Sequence, residues 1–246
     1  MKSQAVALPP SQSTFLATEL SAALSDSDLG VTVLVLSAMS TLIRNRNSFA
    51  SQDVPVDVYT RILELSVSPH LHLNSVQALT NLFRAILELS PTSAADGNAS
   101  EVPNRGNKLF YDLCSRYFSS SHQKLIVRNV ARLAATIYLH ATTLASENGA
   151  TMFENVLISL TQGIYKKSKE FALFTLGEIG QHRCILSAEG VDRLVIAGSL
   201  LAAGEPEDTK VAAAFALGIS SAHPIKFSYH IFPLFLLFQL LYVINT

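Results

Sequence analysis

The chain has no tryptophan and only two cysteines, Cys114 and Cys184. Two thiols far apart in sequence supply neither a disulfide scaffold nor a four-cysteine zinc site. Charge is also scarce. Asp, Glu, Lys and Arg make up 15% of the 246 residues, and the formal charge is -1. An average soluble domain carries about 25% charged residues. There is thus no global basic field to hold nucleic acid, and no acidic tail. With 49% apolar residues the chain is not a disordered polyelectrolyte. Eleven glycines are few for a β-rich fold built on tight turns. No Walker-type phosphate loop, G-x-S-x-G or H-E-x-x-H occurs, so the expectation is a protein that is not an enzyme and needs no cofactor.

What is present is apolar periodicity, in a chain whose mean hydropathy is +0.31. Ala5-Val6-Ala7-Leu8, cut off by Pro9-Pro10, is too short for the apolar core of a secretion signal. Elsewhere apolar residues recur at helical spacing. One stripe is Leu16, Leu20, Ala23 and Leu24, and another is Leu34, Ala38, Thr41 and Leu42. The pattern continues through 58–65 and then Val76, Leu79, Leu82, Phe83 and Ile86. Further along come Leu109, Leu113 and Tyr117, then Leu125, Val130, Leu133 and Ile137. Val156, Leu157 and Leu160 precede Phe171, Phe174 and Ile179; Leu194, Val195 and Leu201 precede Val211, Phe215 and Leu217. No stretch sustains period-2 alternation, so the expected class is all-α.

Breaks fall at Ser25-Asp26-Ser27-Asp28, Ser68-Pro69-His70, 119–122, 164–166 and 204–208. Thr151-Met152-Phe153-Glu154 has the form of a capping box. Glu205-Pro206-Glu207-Asp208 places a proline and two carboxylates where a helix start favours them. The expected organisation is a disordered 1–12, helical repeats over 13–222 with a long loop near 91–105, and an apolar tail over 223–246.

An internal repeat is the sharpest signal. Lys169-Glu170-Phe171-Ala172-Leu173-Phe174-Thr175-Leu176-Gly177 recurs, ungapped and 41 residues on, as Lys210-Val211-Ala212-Ala213-Ala214-Phe215-Ala216-Leu217-Gly218. Expected second-helix starts near 28, 72, 123, 166 and 207 are spaced by about 40–50 residues, as in HEAT and armadillo arrays. Helix pairs this short share a core by stacking on neighbours. The expected architecture is a HEAT-repeat α-solenoid of about five pairs; the competing reading is a compact bundle with chance similarity.

Two further blocks carry a resemblance. Leu176-Gly177-Glu178-Ile179-Gly180-Gln181-His182, and Glu207-Asp208-Thr209-Lys210 running on through Val211-Ala212-Ala213-Ala214-Phe215-Ala216-Leu217-Gly218, resemble signature stretches of the cullin-associated, neddylation-dissociated protein family (TATA-binding-protein-interacting protein 120). The similarity runs from about Ser13 to Gly218, and Cys184-Ile185 departs from it. The resemblance implies a fragment from the C-terminal half of a long HEAT-repeat solenoid. It implies regulation of cullin–RING ubiquitin ligase (SCF) assembly without covalent chemistry: binding unmodified cullin at its adaptor-binding N-terminal end, and promoting substrate-receptor exchange. It also implies a monomer of cytoplasm and nucleus. The alternative is another HEAT scaffold, a nuclear-transport or trafficking adaptor.

Solenoids bind partners through second-helix surfaces. Lys166, Lys167, Lys169, Glu170, Glu178 and Lys210 are therefore the expected protein contacts, against the plainer reading of a solvated face. His70-Leu71-His72 offers two imidazoles where a metal needs three or four ligands, and reads as turn and helix-start histidines. His182-Arg183-Cys184 lacks an orienting third residue, and Cys114 sits on an apolar stripe. Lys166-Lys167-Ser168-Lys169 has no interleaved aromatics and reads as a surface patch rather than a nucleic-acid contact. Asn98-Ala99-Ser100 is a glycosylation sequon only in a secreted chain. The uncharged run 227–244, about 18 residues, is at the lower edge of a membrane span. It reads three ways: an aberrant gene end replacing the next repeat, a C-terminal anchor, or a capping helix.

Overall fold

The computed structural model describes residues 10–25, 27–44, 54–89, 101–144, 166–182 and 204–220. Among these residues the regular structure is all helical, as the periodicity predicts. The described residues hold eight helices: α1 (Pro10–Ala22), α2 (Leu29–Arg44), α3 (Val56–Ser66), α4 (Leu73–Glu88), α5 (Glu101–Ser119), α6 (Gln123–Leu144), α7 (Lys166–Gly180) and α8 (Glu207–Ser220). No described helix is long and apolar enough to cross a membrane. The 223–246 tail, Thr151–Glu154, Cys184 and Asn98 lie outside the described residues.

Helix starts follow local chemistry. The Asp28 carboxylate accepts the Val31 N–H at 3.1 Å, meeting one of the orphan donors at the head of α2. Pro206 directly precedes α8, whose first turn carries Glu207 and Asp208, as expected. Gly204 ahead of it has φ +106°, a conformation that disfavours any residue with a Cβ. Two predicted boundaries move. Helix α1 already begins at Pro10, so 10–12 are helical rather than disordered. Helix α5 begins at Glu101, so the end of the expected 91–105 loop is helical; Pro103 sits in the first turn, where a missing N–H costs no helical bond.

The helices pack in two rows. Helix α1 lies on α3 and α3 on α5; α2 lies on α4, α4 on α6, α6 on α7 and α7 on α8. The rows join where α1 meets α2, α3 meets α4 and α5 meets α6. Cross-helix contacts in the second row link like positions. Ser40 donates to the Asn81 carbonyl at 3.3 Å, Arg44 pairs with Glu88 at 3.3 Å, and Phe174 meets Phe215 with centroids 5.6 Å apart. The second-row helices therefore run parallel, with their N-termini along one edge.

One continuous apolar core runs between the rows, from Ala17 through Leu36, Met39, Leu79, Phe83, Leu133 and Phe171 to Ala216. Several expected stripes are turned. Leu34 is 71% exposed and Leu125 71% exposed, while Ala38 and Thr41 also face out. Helix α2 has no charge between Leu29 and Ile43, so its sequence marks no polar face; contact with α4 selects Leu36, Met39, Ser40 and Ile43. In α1 the buried line is Ser13, Ala17 and Ser21 instead of Leu16, since small residues allow close approach to α2 and α3. Val211 is likewise exposed, and Ala212, Ala213 and Ala216 form the buried side of α8.

Candidate interaction surface

Helix α6 carries Lys124, Arg128, Arg132 and His140 at multiples of four residues, a line that winds around the helix from the side of α7 and α8 to the side of α4, with no acidic residue in the helix. Its meaning lies in what faces it. Arg132 donates Nε and a terminal nitrogen to Glu178 of α7 at 3.2 and 3.3 Å, a fork-to-carboxylate pair. The Arg128 guanidinium stands 5.0 Å from the centre of the Phe174 ring. Lys124 reaches Asp208 of α8 at 3.0 Å, and His140 approaches Glu88 of α4 at 3.5 Å.

These pairs redefine the expected contact set. Glu178 is 7% exposed and Glu170 is 6% exposed. Neither lies on open surface, because α7 buries both faces of its middle against α6 and α8. The Glu170 charge acts inward. After burial, it is the next cause raising the Tyr117 phenol above its ordinary value. Tyr117 stacks on Phe171 at 4.9 Å. Lys169 is half-buried and held by Glu205 of the α7–α8 connection at 2.9 Å. Lys210 lies 3.8 Å from Glu207. Lys166 and Lys167 open α7, with side chains outside the described residues.

Cys114 is buried as expected, and burial pushes its thiol up to about 12, which keeps it protonated at neutral pH and a poor nucleophile. His70 and His72 are exposed in the α3–α4 turn, His72 as the residue before α4. Among the described residues no three His, Cys, Asp or Glu side chains gather as a metal site.

What stays open is the edge where the second-row helices begin. Val31, Leu73, Leu125 and Val211, in the opening turns of α2, α4, α6 and α8, are 44%, 65%, 71% and 46% exposed. Lys124 and Arg128 stand among them, both exposed. One exposed aliphatic side chain on each of four of the five helices, with cations beside them, is a surface that desolvates readily yet keeps charge at its rim, the anatomy of a protein contact. No protein-family model matches the chain, and no curated protein matches it.

Proposed function

We propose that the chain is a stacked array of helix pairs of HEAT type, acting as a non-enzymatic protein-binding scaffold. The observation that carries this reading is the packing order, first helix on first helix and second on second. The repeat supports it: Lys169–Gly177 and Lys210–Gly218 are the interiors of α7 and α8, which lie against each other. Each layer buries two faces and leaves its helix starts as an extended edge, which suits a long partner better than a small molecule.

On the resemblance of the Leu176–His182 and Glu207–Gly218 blocks, the partner we propose is a cullin–RING scaffold in its unmodified form, contacted at the adaptor-binding end. The role is regulation of ligase assembly in cytoplasm and nucleus. The contacts belong to Lys124, Arg128, Leu125 and Val211, with Lys166 and Lys167, rather than to Glu170 and Glu178. Capture of the full chain on an immobilised cullin–RING pair tests the proposal. Retention by unmodified cullin and loss on attachment of its ubiquitin-like modifier are expected. Equal retention by both forms, or none by either, rejects it, and retention by a small GTPase alone favours a transport adaptor.

A further inference from the structure

Two sequence motifs 43 positions apart meet in space: Ser27 of the α1–α2 turn and His70 and His72 of the α3–α4 turn line one open cavity of about 450 Å³ together with Leu29 and Pro69. Neither motif takes part in the interaction surface above. Ser27 is exposed, and its sequence setting, Ser25-Asp26-Ser27-Asp28, places an aspartate on each side. Neighbouring Ser25 is different. It is half-buried, its N–H donates to the Thr32 hydroxyl at 3.3 Å, and its carbonyl accepts from that hydroxyl. Its own hydroxyl holds the Ser27 N–H at 3.2 Å. Ser25 shapes the turn and also shares a hydrogen bond with the Ser27 hydroxyl at 2.6 Å, and the exposed Ser27 side chain lines the cavity with two histidines. Acidic flanks are a charge pattern that protein kinases read.

We infer that Ser27 is a phosphorylation site whose phosphate seats against His70 and His72 and fastens the α1–α2 turn to the α3–α4 turn. In the step, the Ser27 oxygen bonds to the γ-phosphorus of a nucleoside triphosphate held by an acid-directed protein kinase. The bond to the β-phosphate oxygen breaks, the nucleoside diphosphate leaves, and the hydroxyl proton passes to the kinase. The product oxygens then accept from the imidazole N–H groups. Asp28 opposes the new charge, but its carboxylate is engaged on the Val31 N–H at 3.1 Å, at the positive end of α2. Asp26, the other flanking carboxylate, opposes the new charge as well, so the two histidines across the cavity and the α2 terminus are set against two neighbouring charges.

The full chain treated with an acid-directed kinase and a nucleoside triphosphate tests this, with the modified residue located by mass spectrometry. The expected result is phosphate on Ser27 and none on a Ser27→Ala variant, with a Tm rise of about 2–6 °C. At least half of that rise disappears in a His70→Asn/His72→Asn variant, whose two sites are exposed and tolerate the change. The inference is overturned by phosphate on Ser25 instead, by no phosphorylation, by an unchanged or lowered Tm, or by a full rise in the histidine variant. It is also overturned if inorganic phosphate alone raises the Tm of the unmodified chain equally, since the cavity would then be a site for a free anion.

Discussion

Phe174 and Phe215 occupy the same place in the 41-residue repeat, and their rings meet 5.6 Å apart, tilted by 54°. Arg128 stands over the Phe174 ring, 5.0 Å from its centre, so α6, α7 and α8 are joined through one cation and two aromatics. The close approach depends on Gly177. A Cβ there would stand 2.5 Å from the Phe215 ring and 3.4 Å from the Ala216 Cα.

Gly177→Ala should therefore destabilise the protein despite a helix-propensity gain of about 1 kcal/mol. Overpacking costs typically 1–3 kcal/mol, and a net loss of roughly 1 kcal/mol is expected in urea unfolding. Adding Phe215→Ala should remove the clash, so the double variant loses less than the two single effects combined. A Gly177→Ala protein more stable than the parent would contradict this packing.

Arg132→Ala should cost about 2–4 kcal/mol, because it leaves the Glu178 carboxylate buried without its fork of donors. Arg132 is partly exposed, at 36% of its side chain, which keeps the figure below that of a fully buried pair. Arg132→Lys should recover less than half, since an ammonium cannot donate to both oxygens in plane. Thermal unfolding of the three proteins checks the ranking.

His140 sets an acid limit on stability. Burial, first, and then Arg84 and Arg44 lower its proton affinity below the ordinary imidazole value of 6.5, against the opposing pull of Glu88. The unfolded chain then binds the proton more readily than the folded one. This contribution is complete above 6.5 and is lost as the pH falls below it toward the depressed folded value. His140→Leu should flatten the stability profile between pH 7 and 5, followed by urea unfolding at each pH. An unchanged slope would mean another group carries the dependence.

Cys114 should stay unmodified by an aromatic disulfide reagent at pH 8 in the folded protein and react fully in denaturant. A Cys184→Ser background makes the readout single. Burial holds the Cys114 thiol near 12, leaving little thiolate. Rapid labelling of the native chain would show that α5 opens locally.

Helix class and most boundaries could be read from sequence because turn chemistry and helix starts are local. Asp28, Pro206 and the 119–122 break each act within a few residues. Facing could not be read in α2, where an uncharged helix leaves the choice to α4. The burial of Glu170 and Glu178 could not be read for a related reason. Glu178 looks like a surface carboxylate until Arg132, 46 residues earlier, is placed opposite it. The same holds for Tyr59, which donates to Asp112 at 2.8 Å across α3 and α5. Charges that serve as cross-helix ties and charges that serve a partner have the same local pattern. Only the partner helix separates them.

The second-row helices α2, α4, α6, α7 and α8 form one stacked row rather than part of a closed bundle. Spin labels at Val31→Cys and Val211→Cys, both exposed and at the same edge of α2 and α8, measure it directly by pulsed dipolar spectroscopy in a Cys184→Ser background. Helices in contact lie about 8–10 Å apart, and the row from α2 to α8 passes through α4, α6 and α7. A stacked array predicts one narrow distance between about 25 and 40 Å. A distance below about 20 Å, with α2 brought against α8 as in a closed bundle, would contradict it.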